Sequence, residues 1–286
     1  VLLSNSIDED HRMSLNKMAK AGLINEGKGP AMEIGYITFR SNASPLNNLG
    51  LRKALLYTLD RKKISERVSY GLREPLRSLV PPKLKNKSNS PWPTYNPGIA
   101  RYLMKKEGYC DQKKLEIPLT FRSNVPADKL MALTWEAQVK RDLSDCLKFK
   151  LNGVESTTIY RQLGEGAFQA VMLDWRGAYP DPEAYLSPLL SCNKSEGMAC
   201  QEGEAAMSGS FWTTPLMEKN LKQSDELRGQ SRREKLNQIE VLAANGAAYL
   251  PVWLVRPRAW SQIHLAKPEF DNNGQLLLER LRKIQK

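Results

Sequence analysis

The stretch from residue 170 to 190, AVMLDWRGAYPDPEAYLSPLL, constrains this chain more than any other. Its opening run, Ala170–Val171–Met172–Leu173, contains no polar residue and suits a strand buried on both faces of a parallel sheet. Asp174–Trp175–Arg176–Gly177–Ala178–Tyr179 is too polar and too rich in small residues to prolong a strand or begin a helix. Asp181–Pro182 then restarts regular structure, with Asp181 as N-cap and Pro182 at the first helical position, where a missing N–H loses no hydrogen bond. The reading is strand, loop, helix, with Trp175, Arg176 and Tyr179 gathered where the strand ends. In open α/β sheets ligands bind beyond the carboxyl ends of the strands. These three residues are therefore the first candidates for ligand contact, and Asp181 is assigned a structural role.

The rest of the chain supports an α/β reading with a mixed or parallel sheet flanked by helices. Residues 34–39, 117–122, 147–151, 168–175 and 249–255 read as strands. Helices are expected at 8–20, 49–58, 97–107, 127–144, 157–163, 215–222 and 230–245, with another starting near Arg61 and stopping at Gly71. Between 117 and 175 the order is strand, helix, strand, helix, strand, which implies parallel strands joined by right-handed crossovers. Residues 75–97 are rich in Pro, Ser, Asn and Lys and read as a surface excursion. The tail, 273–286, reads as an amphipathic helix.

Several function classes are disfavoured. No apolar run approaches the ~18 residues a membrane-spanning helix needs. The net charge of +12 raises the question of a nucleic-acid partner. Its densest clusters, Arg61–Lys62–Lys63 and Lys83–Leu84–Lys85–Asn86–Lys87, are short and carry no binding signature, so a solvated basic surface is the reading and no nucleic acid is expected. No phosphate-binding loop, nucleophile elbow or dinucleotide fingerprint occurs, and two histidines leave little room for a metal cluster or a proton relay. No cofactor and no metal are expected. The catalytic alternative is a hydrolase using Asp174 and Asp181 as paired carboxylates.

Four cysteines, Cys110, Cys146, Cys192 and Cys200, are either buried thiols or two disulfides of an oxidising compartment, and three pairings are open. Cys110 and Cys146 each precede a strand, and parallel neighbours start at one sheet edge, within the ~5.5–6 Å a disulfide spans. Cys192 and Cys200 flank a short loop and can close on each other. That pairing is the most local one.

Four further motifs occur in order. They are Gly35–Tyr36–Ile37–Thr38–Phe39; Leu51–Arg52–Lys53–Ala54–Leu55 leading to Leu59–Asp60–Arg61 and Ile64, with Gly71, Pro75 and Pro81–Pro82 after it; Asp174–Trp175 to Tyr179–Pro180–Asp181–Pro182 with Tyr185–Leu186; and Ala247–Ala248–Tyr249–Leu250–Pro251–Val252. At this spacing they resemble the C-terminal half of the peptide/nickel-type solute-binding proteins of ABC importers, extracellular solute-binding family 5. The resemblance implies a periplasmic-binding-protein-like fold of the class II type that closes on solute between two lobes. Residues 1–39 would be a first-lobe segment ending in a hinge strand, 40–246 the second α/β lobe, and 247–286 the return hinge strand and a C-terminal first-lobe segment. The family's long N-terminal portion has no counterpart here. The first residue is not Met, and the chain is expected to be a mature or truncated piece.

On this resemblance the expectations are a non-enzymatic receptor, monomeric and periplasmic or tethered outside the membrane. It would pass a peptide-like or other small polar solute to an ABC permease. Both disulfides are expected, Cys110–Cys146 and Cys192–Cys200. Tyr36 and Arg40 at one lobe crossing and Arg256 at the other join the candidate ligand contacts. One departure is informative: peptide binders carry at the position of Ala178 an Asp that anchors the peptide ammonium. Together with Arg176, its absence points to an anionic or hydroxylated solute.

Overall fold

The computed structural model describes residues 2–3, 7, 9–69, 72–85 and 90–284; Asp8, Gly71, Asn86, Lys87 and the last two residues, named above in expected elements, lie outside them. The elements in the first part of the chain are β1 (Leu2–Leu3), α1 (Glu9–Lys20), β2 (Ile24–Lys28), β3 (Glu33–Phe39), α2 (Leu49–Leu56), α3 (Arg61–Ser69), β4 (Glu74–Pro75) and α4 (Pro97–Lys106). There follow β5 (Leu115–Arg122), α5 (Pro126–Asp142), β6 (Leu147–Val154), α6 (Ser156–Leu163), β7 (Ala170–Arg176) and α7 (Glu183–Leu190). The last are β8 (Lys194–Glu196), β9 (Ala199–Glu202), α8 (Glu204–Met207), α9 (Pro215–Glu226), α10 (Gly229–Gly246), β10 (Tyr249–Val255) and β11 (Arg258–Gln262).

The main sheet has six strands in the order β4-β10-β3-β7-β5-β6. Two of its interior strands are buried almost throughout, because helices cover both faces: every residue of β10 is buried, as are all but the first of β3. β3 runs antiparallel to both neighbours, β10 and β7, whereas β7, β5 and β6 are mutually parallel. The sheet is therefore mixed. The parallel pair starts at Leu115 opposite Leu147, and the crossover helix α5 packs on both strands, with Trp135 tilted against Phe149 at 4.4 Å between ring centroids. β6 forms the free edge and turns Lys148 and Lys150 to solvent, charges that discourage edge-to-edge pairing.

A second sheet of three strands, order β1-β11-β2, joins the first through residues 29–32 and 256–257. These two connections lie side by side, with the Gly29 N–H donating to Pro257 O at 2.9 Å. Both disulfides are formed: Cys110–Cys146 at the shared start of β5 and β6, and Cys192–Cys200 with Cα atoms 5.7 Å apart.

Five expectations need correction. The strand through 170–176 is buried as expected but lies in a parallel arrangement on one side only, since β3 opposes it. The segment between Cys192 and Cys200 is the hairpin β8–β9, a pairing too short to show a period-two pattern. β2 and β11 were not foreseen, because INEGK and RAWSQ lack a clean apolar alternation. The described residues of 75–97 are not simply a surface excursion. Leu76, Leu79, Val80 and Trp92 are buried, the Trp92 indole donates to Tyr249 O at 2.7 Å, and Lys85 pairs with buried Glu240. The tail is irregular apart from a 3-10 turn, Leu278–Arg280, and is held by bridges Phe270–Leu276 and Leu265–Lys283.

Two predictions test this packing. Peptide mapping of unreduced protein alkylated under denaturing conditions should recover Cys110 linked to Cys146 and Cys192 linked to Cys200, with no alkylated cysteine. A Cβ added at Gly35 would lie 2.1 Å from the Trp253 Nε1 across the β3–β10 pair. Gly35→Ala should therefore lower unfolding stability by about 1–3 kcal/mol, read as a reduced urea midpoint at unchanged slope.

Candidate functional site

Strand direction decides which side chains meet. β3 opposes its neighbours, so its first residue, Glu33, stands across from Arg176 at the end of β7 and Val255 at the end of β10. β5 ends at the same edge with Arg122. The two connections to the smaller sheet leave from this edge as well, because they precede β3 and follow β10. The carboxyl edge of the main sheet and the junction between the sheets thus coincide.

Arg122 organises this edge. Its guanidinium is 6% exposed and forks onto Asp128 in the first turn of α5, Nε to Oδ2 at 2.6 Å and Nη2 to Oδ1 at 3.1 Å. Nη1 reaches Asp174 Oδ2 at 2.8 Å and donates to the Tyr160 hydroxyl of α6 at 3.1 Å. Burial alone would favour loss of the proton, but Asp128 and Asp174 hold the group charged, above the ordinary arginine range. Asp128 is 1% exposed and has both oxygens satisfied, whereas Asp174 is 36% exposed and keeps one side toward solvent. Glu33 is pushed above its ordinary value by burial and by Asp174, and the opposing pull of Arg73 and Arg176 does not cancel this.

The structure brings Trp175, Arg176, Tyr179 and Arg256 to this edge. Trp175 is half-buried against the core, and its indole donates to Ala184 O at 2.8 Å. Arg176 is exposed and donates from Nη1 to Gly274 O at 3.1 Å. Tyr179 is exposed, with its hydroxyl on the Glu183 carboxylate. The Arg256 guanidinium donates to Gly29 O at 3.3 Å and faces Glu74 at 3.8 Å. Asn273 Nδ2 donates to Ala178 O at 2.9 Å, a second tie from the tail to the same loop.

Arg40 is not at this edge, and Tyr36 is buried in the core within electrostatic reach of Asp174, Tyr160 and Arg122. Tyr36 is 3% exposed and packs edge-on against Tyr249 at 5.8 Å, inside the core. Arg40 follows Phe39, which pairs with Ala170 where β7 begins, so it lies at the opposite edge. There its guanidinium bonds Asn42 Oδ1 at 3.0 Å and the carbonyl of Gly166, over the Phe211 ring. The physical reason is again the direction of β3: the crossing between sheets is at its start, not its end.

The N-cap of α7 is Pro182 and not Asp181 as expected, which stands one residue before it. It still accepts the Glu183 N–H at 2.9 Å, and Arg232 of α10 grips both its oxygens at 2.8 and 2.9 Å. Partial burial works to raise its pKa, but Arg232 and the Glu183 N–H bring it below the ordinary range. Asp174 and Asp181 are thus each paired with a separate arginine, Arg122 and Arg232, and not with each other. Behind the loop, a Cβ on Gly177 would meet the Tyr185 ring at 2.7 Å, and the Tyr185 hydroxyl donates to Met32 O at 2.5 Å in one of the connections. Cys110, Asp145 and Cys146 come close enough for a metal cluster, but the two sulfurs are bonded to each other.

Glu33, Arg73, Arg122, Asp128 and Tyr160 were not foreseen. Arg122 could have been, as the last residue of a strand whose carboxyl end faces the site. Glu33 could not, because its place depends on β3 running against its neighbours.

The profile described as "Bacterial extracellular solute-binding proteins, family 5 Middle" matches residues 5–197. The chain is 28% identical over 236 residues to heme-binding protein A of Haemophilus influenzae, covering 79% of this chain and 40% of that one. It is 26% identical over 188 residues to the dipeptide-binding protein of Escherichia coli, covering 63% and 34%, and 24% identical over 253 residues to the nickel-binding periplasmic protein of the same organism, covering 84% and 45%. The chain therefore spans less than half the length of these curated relatives. Among solved structures, the dipeptide binding protein of Pseudoalteromonas sp. SM9913 in complex with Met-Leu superposes with a TM-score of 0.81 at 22% identity, covering 99% of this chain and 54% of that one. The Escherichia coli murein tripeptide binding protein gives 0.82 at 18% identity, with coverage of 99% and 54%.

The charged edge makes two predictions. Asp128→Ala leaves Arg122 buried without its main partner and should cost about 3–5 kcal/mol, read by urea denaturation. Glu33 has a raised folded-state pKa, so its contribution to stability is fully present below the ordinary value of 4.5 and is lost as pH rises through the folded pKa. The loss of stability between pH 4.5 and neutrality should accordingly be shallower in Glu33→Gln than in the parent protein.

Proposed function

This chain belongs to the bacterial extracellular solute-binding proteins of family 5, and on that footing we propose that it supplies one lobe, and part of a second, of a receptor serving an ABC importer. The helix-flanked six-stranded sheet is the body of the one lobe, and the three-stranded sheet with α1 and the tail is the part of the other. The lobe crossings fall at residues 29–32 and 256–257, so β3 and β10 belong to the larger lobe along their full length. The receptor works outside the cytoplasmic membrane as a monomer, without chemistry of its own, and passes its solute to a membrane permease.

The observation that carries this reading is the coincidence of the two edges. A solute held between lobes meets the carboxyl ends of β5, β7 and β10, where Asp174, Arg176, Tyr179 and Arg256 are available. Trp175 supports the loop from behind while turning part of its ring outward. The solute is peptide-like or another small polar molecule. With Ala178 where peptide binders carry an ammonium-anchoring Asp, and with Arg176 beside it, an anionic or hydroxylated group is the better match to this wall than a free α-ammonium, since a buried ammonium with no counter-charge is strongly disfavoured.

Native mass spectrometry of protein purified from its source should show a co-purifying solute, and that solute then serves as probe. Arg176→Ala should weaken its binding at least ~10-fold, about 1.4 kcal/mol, with little change in melting temperature. Arg40→Ala, at the far edge, should bind normally. Turnover of a peptide or glycoside panel, abolished by Asp181→Asn, would overturn the receptor reading.

A further inference from the structure

The helices α9 and α10, joined by two residues and packed on each other, border a trough of about 1170 Å³ that shares no residue with the charged edge between the sheets. Three walls surround it. On α9, Leu216, Lys219 and Gln223 follow one another at one-turn spacing and so share a face. On α10, Lys235, Gln238 and Val241 do the same. The third wall is the chain after β4, with Arg77 and Pro91. The volume lies just above the ~300–1,000 Å³ usual for small-molecule sites, far more than a bare ion occupies.

Two features of the lining go together. The first is apolar surface left open to water: Leu216 and Val241 are about half exposed, and every other exposed residue of α10 is polar or glycine. The second is charge. Each wall carries one cation, Lys219, Lys235 or Arg77, and among the described residues none of the three is paired with a carboxylate. Lys235 donates to the Asn220 side-chain oxygen at 3.2 Å and Arg77 to Trp92 O at 3.4 Å, both neutral acceptors. Of the two acids in the lining, Glu240 is buried and already paired with Lys85, which leaves Glu234 alone, accepting from Gln230 at 2.8 Å. Behind Arg77 stands the buried Arg61, whose pKa is lowered first by burial and further by the charge of Arg77. An anion beside Arg77 relieves that repulsion.

We propose that this trough binds a dissolved amphiphilic anion, a molecule with an apolar body and a carboxylate, sulfonate or phosphate head, at a site separate from the edge between the sheets. The body covers Leu216 and Val241, removing their surface from water. The head lies beside Lys219 and Lys235, where Asn220 and Gln223 offer further hydrogen bonds. A simple inorganic anion satisfies the cations and leaves the apolar pair bare. An uncharged apolar molecule does the reverse. A flat lipid surface meets only the rim, because three walls stand around the floor. Glu234 opposes the head by like charge. The inference does not depend on the receptor reading, since it concerns a different face of the larger lobe.

The test is fluorescence and calorimetric titration of the 286-residue chain at constant ionic strength. The probes are anilinonaphthalene sulfonate, the uncharged phenylnaphthylamine that has the same rings without the head, and inorganic sulfate as the head alone. Saturable one-to-one binding is expected for the sulfonate, with the other two at least ~10-fold weaker, about 1.4 kcal/mol. The double variant Lys219→Gln, Lys235→Gln should weaken sulfonate binding at least ~10-fold, and Val241→Asn should weaken it as well. Lys150→Gln, on the free edge strand, should leave it unchanged. Glu234→Gln should tighten it, whereas a purely structural disturbance at that position would loosen it. Melting curves of each variant separate lost binding from lost folding. The proposal is overturned if the sulfonate does not bind saturably, if phenylnaphthylamine binds as tightly, or if binding survives the double lysine variant in folded protein. Loss of binding in Arg176→Gln would place the probe between the sheets and also overturn it. Flotation with anionic vesicles, or self-association in sedimentation velocity, that the double variant abolishes would assign the trough to a lipid surface or a second copy instead. None of these outcomes bears on whether a solute co-purifies, so the receptor reading is tested separately.

Discussion

One strand direction governs this molecule. β3 is inserted antiparallel between β10 and β7, and every residue of the site is where it is because of that insertion. Had β3 run with its neighbours, the chain would enter the main sheet at the edge where Arg40 now lies, far from the ends of β5 and β7. Reversal puts both connections between sheets beside the carboxyl ends of the parallel strands. Ligands bind at such ends, so a single choice of direction makes the natural binding edge of the sheet also the meeting place of two structural units.

Buried arginines then hold the helices to this frame. Arg52 donates from Nε and Nη2 to Gly246 O at 3.2 and 2.9 Å and from Nη1 to Leu46 O at 2.6 Å, tying α2 to the end of α10. Arg61 donates from Nε to Pro251 O at 2.7 Å, fixing the start of α3 to β10. Burial lowers their pKa values to about 10 and about 9, still high enough to keep both charged at neutral pH. Carbonyl oxygens take the place of counter-ions here. A planar fork with fixed donors suits acceptors at set positions, which a lysine ammonium on a flexible stem does not. These are the arginines of the motif between residues 51 and 64 that helped carry the resemblance, so part of what made the family legible is structural and not a matter of solute contact.

Much of the architecture was legible in the sequence for a simple reason: strands with long apolar runs and helices with clear stops declare themselves locally. Ala170 to Leu173 read as a buried strand, and Cys110 and Cys146 as partners, because both inferences needed only the order of neighbouring elements. What stayed hidden depended on long-range geometry. The resemblance placed Tyr36 and Arg40 at a lobe crossing, but the direction of β3, which decides the matter, cannot be read from a single strand. Glu33 looks like a surface residue until β10 and β7 close around it. The stretch from 75 to 97 has the composition of a loop, yet Trp92 is in the core, because one tryptophan with its indole bonded outweighs several polar neighbours. The tail shows the converse: an apolar face at helical spacing did not become a helix, since Phe270 and Leu276 bridge to each other instead.

The tie between Asn273 and the loop after β7 is made to the carbonyl of residue 178, not to its side chain. A main-chain oxygen is present whatever amino acid stands there. The loop's position is thus insulated from the identity of the residue it displays. Position 178 can change between an acid and a methyl group and keep this tie, so the side chain displayed beside Arg176 and the anchoring of the loop that displays it are separate properties of the chain.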